Sequence, residues 1–306
     1  MADSDLAIHA RGLTKRYGAF EALRGLDLEV RRGEVFGFLG PNGAGKTTTV
    51  RCLLDLIRPS GGELSVLGLN PQRSPLEVRR RTGYLPGELH LDERLRVDAA
   101  LRYLGGLRGE AVPWARIVAL AERLHLDLEA RIGNLSKGNK QKVGIAQAFM
   151  HEPELLLLDE PTGGLDPLMQ QEVNALVLEA KARGATVFFS SHILPEVEAV
   201  SERVAIVRKG VVVETAHTAD LVQRAVRRAT VRFKEPVDPG PLGNIPGVSL
   251  LDADAGDPAD DRGVRLEVKG EMDPLIKALA AYPVLDFDTE RPSLEEIFLA
   301  YYEEQR

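Results

Sequence analysis

Residues Gly40 to Thr47 read GPNGAGKT, set between the apolar stretch EVFGFL at 34–39 and the helical pattern KTTTVRCLLDLI at 46–57. A glycine-rich loop that leaves a strand and closes on Lys-Thr at a helix start has the form of a phosphate cradle. The physical requirement is narrow. The loop runs through Gly40, Pro41, Asn42, Gly43, Ala44 and Gly45, and the backbone amides from Gly43 to Thr48 must wrap an anion. Glycine lets the chain approach that closely. The opening helix turns its partial positive end to the same anion. Lys46 supplies a mobile charge for the β- and γ-phosphates, and the Thr47 hydroxyl is placed to ligate magnesium.

Further along the chain, LLLLDEPT at 155–162 reads as a buried strand that ends in two acids. Asp159, at the carboxyl end of the strand, is placed to hold magnesium beside Thr47, directly or through water. Glu160, one residue further out, can orient and deprotonate an attacking water. Taken alone, this stretch is also an ordinary strand exit into a polar turn; the phosphate loop upstream favours the chemical reading. The apolar runs Leu155–Leu158 and Ala185–Phe189 flank a helix predicted from Pro167 to Arg183. Such runs read as parallel strands buried on both faces, hence a βαβ unit. Before them, LAIHARGL, LRGLDLEV, EVFGFLG and GELSVLG alternate with glycine turns, and residues 75 to about 150 turn helical in LRYLGGL, WARIVALAERLHL and KVGIAQAFM. VAIVRKGVVVE reads as a hairpin turning at Lys209-Gly210. The expected fold is α/β: a P-loop NTPase core with an antiparallel β layer, over residues 1–226, with a helical subdomain at about 88–150.

The chain has 306 residues, 39 basic against 46 acidic, for a formal net charge of -7. At about 100–200 residues per domain, that length predicts two domains. A single cysteine, Cys52, excludes a disulfide framework and a multi-cysteine zinc site and reads as a buried apolar filler. No apolar run approaches the roughly 20 residues of a membrane-spanning helix, and the first residues carry no apolar signal segment. The charge is uneven. Residues 1–226 carry 29 basic and 29 acidic side chains, whereas 227–306 carry 10 and 17. An acidic second domain argues against nucleic acid as its partner. Its strands (ATVRFK, VSLLDAD, GVRLEVKG, VLDFDTE), the helix PLIKALAAY and a terminal helix SLEEIFLAYYEE predict a small accessory or regulatory α+β domain at 227–306. The acidic loop DADAGDPADD lacks the glycine and glutamate spacing of a calcium loop and reads as solvated.

With the phosphate loop and the acidic strand exit, four further stretches make the chain resemble the ATPase subunits of ABC transporters. They are TKRYG with Tyr17, NLSKGNKQK with Ser136 and Gly138, GGLD with Asp166, and SSH with His192. The resemblance implies ATP and Mg2+ as cofactors. It also implies that Tyr17 stacks on adenine and that Ser136 and Gly138 belong to a loop gripping a neighbouring subunit's γ-phosphate. Asp166 would end the family's D-loop and contribute to binding the nucleotide, and His192 would hold the γ-phosphate geometry. Each has a plainer reading: Tyr17 an edge aromatic, Ser136 a helix N-cap, His192 a structural histidine. GYLPGE and PSLEEIFLAYY look most like bacterial drug- or antibiotic-export ATPases paired with separately encoded permeases. The implied protein is an ATP-hydrolysing homodimer without a membrane span, held to the cytoplasmic face of the membrane by a permease and exporting a drug, antibiotic or lipid-like substrate. Two other readings stand beside it: a soluble ABC ATPase acting on nucleic acid or the ribosome, and a nonhydrolytic nucleotide-gated binding module.

Two positions depart from the family pattern. Lys137 and Asn139 stand where the signature loop usually has glycine and glutamine. After the strand TGYLP the family expects a glutamine that contacts magnesium and the attacking water, but this chain has Gly87 followed by Glu88. Glu88 is the nearest group able to accept from a magnesium-bound water, or else a surface glutamate beyond a turn.

Overall fold

The computed structural model describes residues 5–107, 112–224, 227–251 and 262–290. The chain divides into two compact units, Met1–Thr218 and Ala219–Arg306. This division lies earlier than the charge break at residue 226, with a short helix between the two points.

The first unit opens with β1 (Leu6–Tyr17), β2 (Phe20–Arg31), β3 (Val35–Leu39), α1 (Lys46–Leu53) and β4 (Gly61–Val66). After them come α2 (Pro75–Arg80), β5 (Thr82–Leu85), α3 (Val97–Gly106), α4 (Trp114–Arg123) and α5 (Lys137–Phe149). It closes with β6 (Leu155–Asp159), α6 (Pro167–Ala182), β7 (Thr186–Ser191), α7 (Leu194–Glu198), β8 (Arg203–Arg208) and β9 (Val211–His217). The expected strands and main helices are present. Helices α2 and α7 are short and carry little periodic signal of their own.

Two sheets form. One has six strands in the order β5-β6-β7-β3-β8-β9, parallel except for β9, which returns from β8 as the hairpin at Lys209-Gly210. The other is antiparallel, β2-β1-β4. Every residue of β3, β6 and β7 is buried, as expected of parallel strands covered on both faces. Phe36 and Phe38 of β3 pack on Phe188 of β7 with ring centroids 6.2 and 5.0 Å apart. Cys52 is fully buried on α1, and that burial pushes its thiol up to about 11. Register then aligns the strand ends. Asp159 pairs with Ser190, and Leu39 pairs with Ser191. Gly40, Glu160 and His192 therefore leave the sheet side by side at its carboxyl edge, where open α/β sheets bind ligands.

Helix α8 (Thr218–Arg224) starts at the last residue of the first unit, and the second unit goes on with β10 (Arg227–Phe233), α9 (Gly240–Gly243), β11 (Val248–Leu250), β12 (Gly263–Val268), α10 (Asp273–Leu279) and β13 (Val284–Glu290). Its antiparallel sheet runs β11-β12-β10-β13. Alternation puts Ala229, Val231 and Phe233 into a core with Leu266, Val268, Leu275 and Leu279, while Arg228 and Arg232 stay exposed. The short helix α9 lies between β10 and β11, in a stretch rich in proline. The acidic loop at 252–261 and the terminal helix expected at 293–304 lie outside the described residues.

Candidate functional site

The phosphate loop is shaped by the elements on either side of it. Gly45 precedes α1 at φ 111°, a backbone state that glycine adopts without steric cost. A Cβ there would meet Leu23 Cδ2 at 2.9 Å and the Ala22 carbonyl at 3.1 Å, so β2 presses directly on the loop. The same β1–β2 ribbon carries Tyr17, which pairs with Phe20 across its turn. Tyr17 is about half exposed, with Lys15 Nζ 5.0 Å from its ring centre. Asn42 and Gly43 are exposed, Ala44 is buried, and Pro41, Gly45, Thr47 and Thr48 lie partly buried.

Lys46 is only 5% exposed, yet its ammonium donates to the Gly40 carbonyl at 2.7 Å and lies 3.3 Å from Glu160 Oε1. His192 Nδ1 meets the same Oε1 at 3.0 Å. One carboxylate oxygen thus gathers the lysine from the loop after β3 and the histidine from the end of β7. Glu160 itself takes a left-handed φ of 51°. Its N–H donates to the Ser190 carbonyl at 3.0 Å, and its carbonyl accepts from Gln141 Nε2 at 3.1 Å.

Behind this cluster, Asp159 is 1% exposed. Thr47 Oγ1 donates to its Oδ2 at 2.7 Å, and Ser190 Oγ donates to its Oδ1 at 2.5 Å. A hydroxyl and a carboxylate oxygen in contact at the mouth of a phosphate loop are the hard donors that Mg2+ takes together with waters and substrate phosphates. The residues fit the ion. The carboxylate also reaches Tyr84 on β5, whose phenol is raised by burial and then by Asp159, with Arg51 opposing.

Gly87 lies against the same carboxylate, since a Cβ there would sit 3.3 Å from Asp159 Oδ2. Glu88 is exposed and makes no hydrogen bond or ion pair among the described residues. Ser136 caps α5, its Oγ accepting from Asn139 N–H at 3.2 Å. Asp166 caps α6 in the same way, accepting from Met169 N–H at 3.0 Å. Gly138 allows a close approach within the chain: a Cβ would lie 2.8 Å from the Gly164 carbonyl. Two residues that the sequence reading did not single out belong to the site, Ser190 and Gln141. Ser190 was signalled only by its place before His192. Gln141 was signalled only as a polar residue on the apolar side of a helix.

Comparison with known proteins agrees with this geometry. The family model described as ABC transporter matches residues 23–163. The bacitracin transport ATP-binding protein of Bacillus licheniformis is 39% identical over 214 residues, covering 68% of each chain. The daunorubicin resistance ATP-binding protein of Streptomyces coeruleorubidus is 36% identical over 306 residues, covering 97% of this chain and 96% of its own. The solved ATP-binding subunit of an ABC transporter superposes with a TM-score of 0.66 at 33% identity, covering 70% of this chain and 91% of that one. The dimeric structure of a bacterial ABC transporter cassette matches in fold, with a TM-score of 0.63 at 23% identity, covering 69% of this chain and 98% of that one.

Proposed function

The chain belongs to the ABC transporter family of ATP-binding proteins, and on that premise we propose that it hydrolyses ATP to drive export of a drug, antibiotic or lipid-like substrate through a separately encoded permease. The observation that carries the reading is the convergence of Lys46 and His192 on Glu160 Oε1, at 3.3 and 3.0 Å. Similarity along nearly the whole length of a daunorubicin resistance protein supports the substrate class.

Lys46 binds the outer phosphates, and the amides from Gly43 to Thr48 share their charge. Glu160 takes the proton of the attacking water as the new O–P bond forms and the bond from phosphorus to the ADP oxygen breaks. His192 holds Glu160 in place and donates toward the γ-phosphate. Thr47 and Asp159 would hold Mg2+, which would supply neutralisation of the phosphoryl charge, and Glu88 is the acceptor we assign to its waters. Tyr17 stacks on adenine, and the loop from Ser136 to Gly138, with Asp166, faces the nucleotide of a second copy in a head-to-tail homodimer.

No described helix is long and apolar enough to cross a membrane. A groove of about 490 Å³ offers a place for a permease. It is lined by Leu54, Leu56, Leu76, Tyr84, Leu104 and Leu107, with Arg79 and Arg80 beside them, and Leu56, Leu76 and Leu107 are 49, 77 and 65% exposed. Apolar side chains clustered and open in this way mark a protein contact. The groove wall β5 leads through Pro86 to Gly87 beside Asp159, so a partner seated there pushes on the segment that touches the metal site. The protein is then peripheral, on the cytoplasmic face of the membrane.

Phosphate release from ATP tests the reading. Glu160→Gln is expected to retain ATP binding and lose about 100- to 10,000-fold in turnover, whereas Lys46→Ala weakens binding itself. Near-normal turnover by Glu160→Gln would overturn the assignment of the base.

A further inference from the structure

Glu160 occupies the left-handed region, with φ at 51°. A side chain with a Cβ is crowded there against the backbone, and such a residue stays only where its surroundings over-determine it. The restraints come from three directions. Ser190 on β7 accepts from the Glu160 N–H at 3.0 Å, and the Gly163 N–H donates to the Glu160 carbonyl at 3.2 Å. The third is a side chain. Gln141 Nε2 donates to the Glu160 carbonyl at 3.1 Å and to the Pro161 carbonyl at 3.2 Å.

Gln141 is 8% exposed and shares α5 with the fully buried Val143, Ile145 and Ala148. A carboxamide in that setting is costly unless its donors are paired. Both of its donors go to consecutive carbonyls of the segment that carries the catalytic acid. Because both partners are carbonyls, the nitrogen end of the amide must be the one facing them. A leucine or methionine would fill the same apolar position, so packing alone does not call for glutamine.

Resting on the ATPase reading above, we propose that Gln141 is a positioning residue for hydrolysis. Its amide pins the Glu160–Pro161 backbone and so aims the Glu160 carboxylate at the attacking water. It also joins that backbone to the helix capped by Ser136. A displacement at the start of α5 is therefore carried to the base by a buried hydrogen-bonded link.

The test uses the full chain with magnesium and ATP. Gln141→Leu and Gln141→Met both remove the donors, and the methionine variant, which keeps the side-chain length, carries the test if the leucine variant does not fold. Misplacement of a catalytic group by about 1 Å costs about 100-fold, so kcat is expected to fall by about 10- to 100-fold. KM and the affinity for a fluorescent ATP analogue should stay within about twofold, because the phosphate loop is untouched. In a Glu160→Gln background the residual turnover should not fall further, since Gln141 acts through that side chain. A folded variant with wild-type kcat overturns the proposal. So does an equal loss in the Glu160→Gln background, or a loss of turnover matched by a loss of nucleotide affinity. A wild-type chain that releases no phosphate overturns the ATPase reading itself, and this inference with it.

Discussion

At the scale of single residues, the position after the strand Thr82–Leu85 separates what a side chain supplies from what a backbone permits. Gly87 has nothing to offer a cation, and a Cβ in its place would stand 3.3 Å from Asp159 Oδ2. Space beside that carboxylate is therefore left for water, and a hard cation here keeps more of its hydration shell. Glu88 is exposed and within one residue of that space. If it accepts from the metal's waters, Glu88→Ala should raise the magnesium concentration needed for half-maximal hydrolysis while ATP binding stays unchanged. Titrating turnover against magnesium decides this, and an unchanged midpoint returns Glu88 to the surface. The meeting of Thr47 with Asp159 and of Lys46 with Glu160 was legible because each sits in a local pattern whose order alone implies its partner. Ser190 and Gln141 were not, because their roles come from strands and helices brought together across the fold. Ser190 becomes an Asp159 donor only when β6 and β7 pair in their observed register. The same limit applies to Gly138, whose near neighbour is the Gly164 carbonyl.

At the scale of elements, the helices between β5 and β6 are held to the core by charge as well as by packing. Arg123, at the end of α4, forks across two acids of α6. It donates to Glu172 at 2.6 Å and to both carboxylate oxygens of Glu179 at 2.7 and 2.8 Å. Its guanidinium is raised and the Glu179 carboxyl lowered, each first by their shared hydrogen bonds. A lowered carboxyl stabilises the fold above its ordinary value of 4.5, and that contribution fades as pH falls through the lower folded value. All three groups are partly exposed, so solvent screening keeps the whole clasp to about 1 kcal/mol or less. Arg123→Ala should thus lower the melting temperature slightly at pH 7 and low salt. The difference should shrink at high salt and vanish in acid once Glu179 is protonated. A difference that persists in acid would assign the effect to lost packing of the arginine stem. None of this was readable in sequence order, where α4 and α6 are separated by a helix and a strand. The sheet order β5-β6-β7-β3-β8-β9 was equally hidden, although the apolar runs at 155–158 and 185–189 showed two of its strands and the βαβ connection between them.

At the scale of the whole molecule, the division of labour follows from where the site residues and the cores lie. Every residue assigned to nucleotide chemistry, from Tyr17 to His192, belongs to Met1–Thr218. That unit buries its own cluster around Phe36, Phe38 and Phe188, and the second unit buries a separate one around Val231, Phe233 and Leu266. A unit with an apolar core of its own has what a domain needs to fold alone. The charge supports the separation, since residues 227–306 carry 17 acidic side chains against 10 basic ones and would repel a polyphosphate. We therefore assign residues 227–306 to assembly or regulation, without a phosphate contact. A chain ending at residue 226 should remain folded and bind ATP with an affinity within about threefold of the full chain, a difference of under about 1 kcal/mol. Its dimerisation with ATP, or its response to the permease, should change. Equilibrium binding of a fluorescent ATP analogue, with size-exclusion chromatography of the Glu160→Gln form to read assembly, measures both. A folded, truncated chain that no longer binds ATP would place part of the nucleotide site in the second unit. If affinity, assembly and permease response are all unchanged, the second unit has no part in either assembly or regulation.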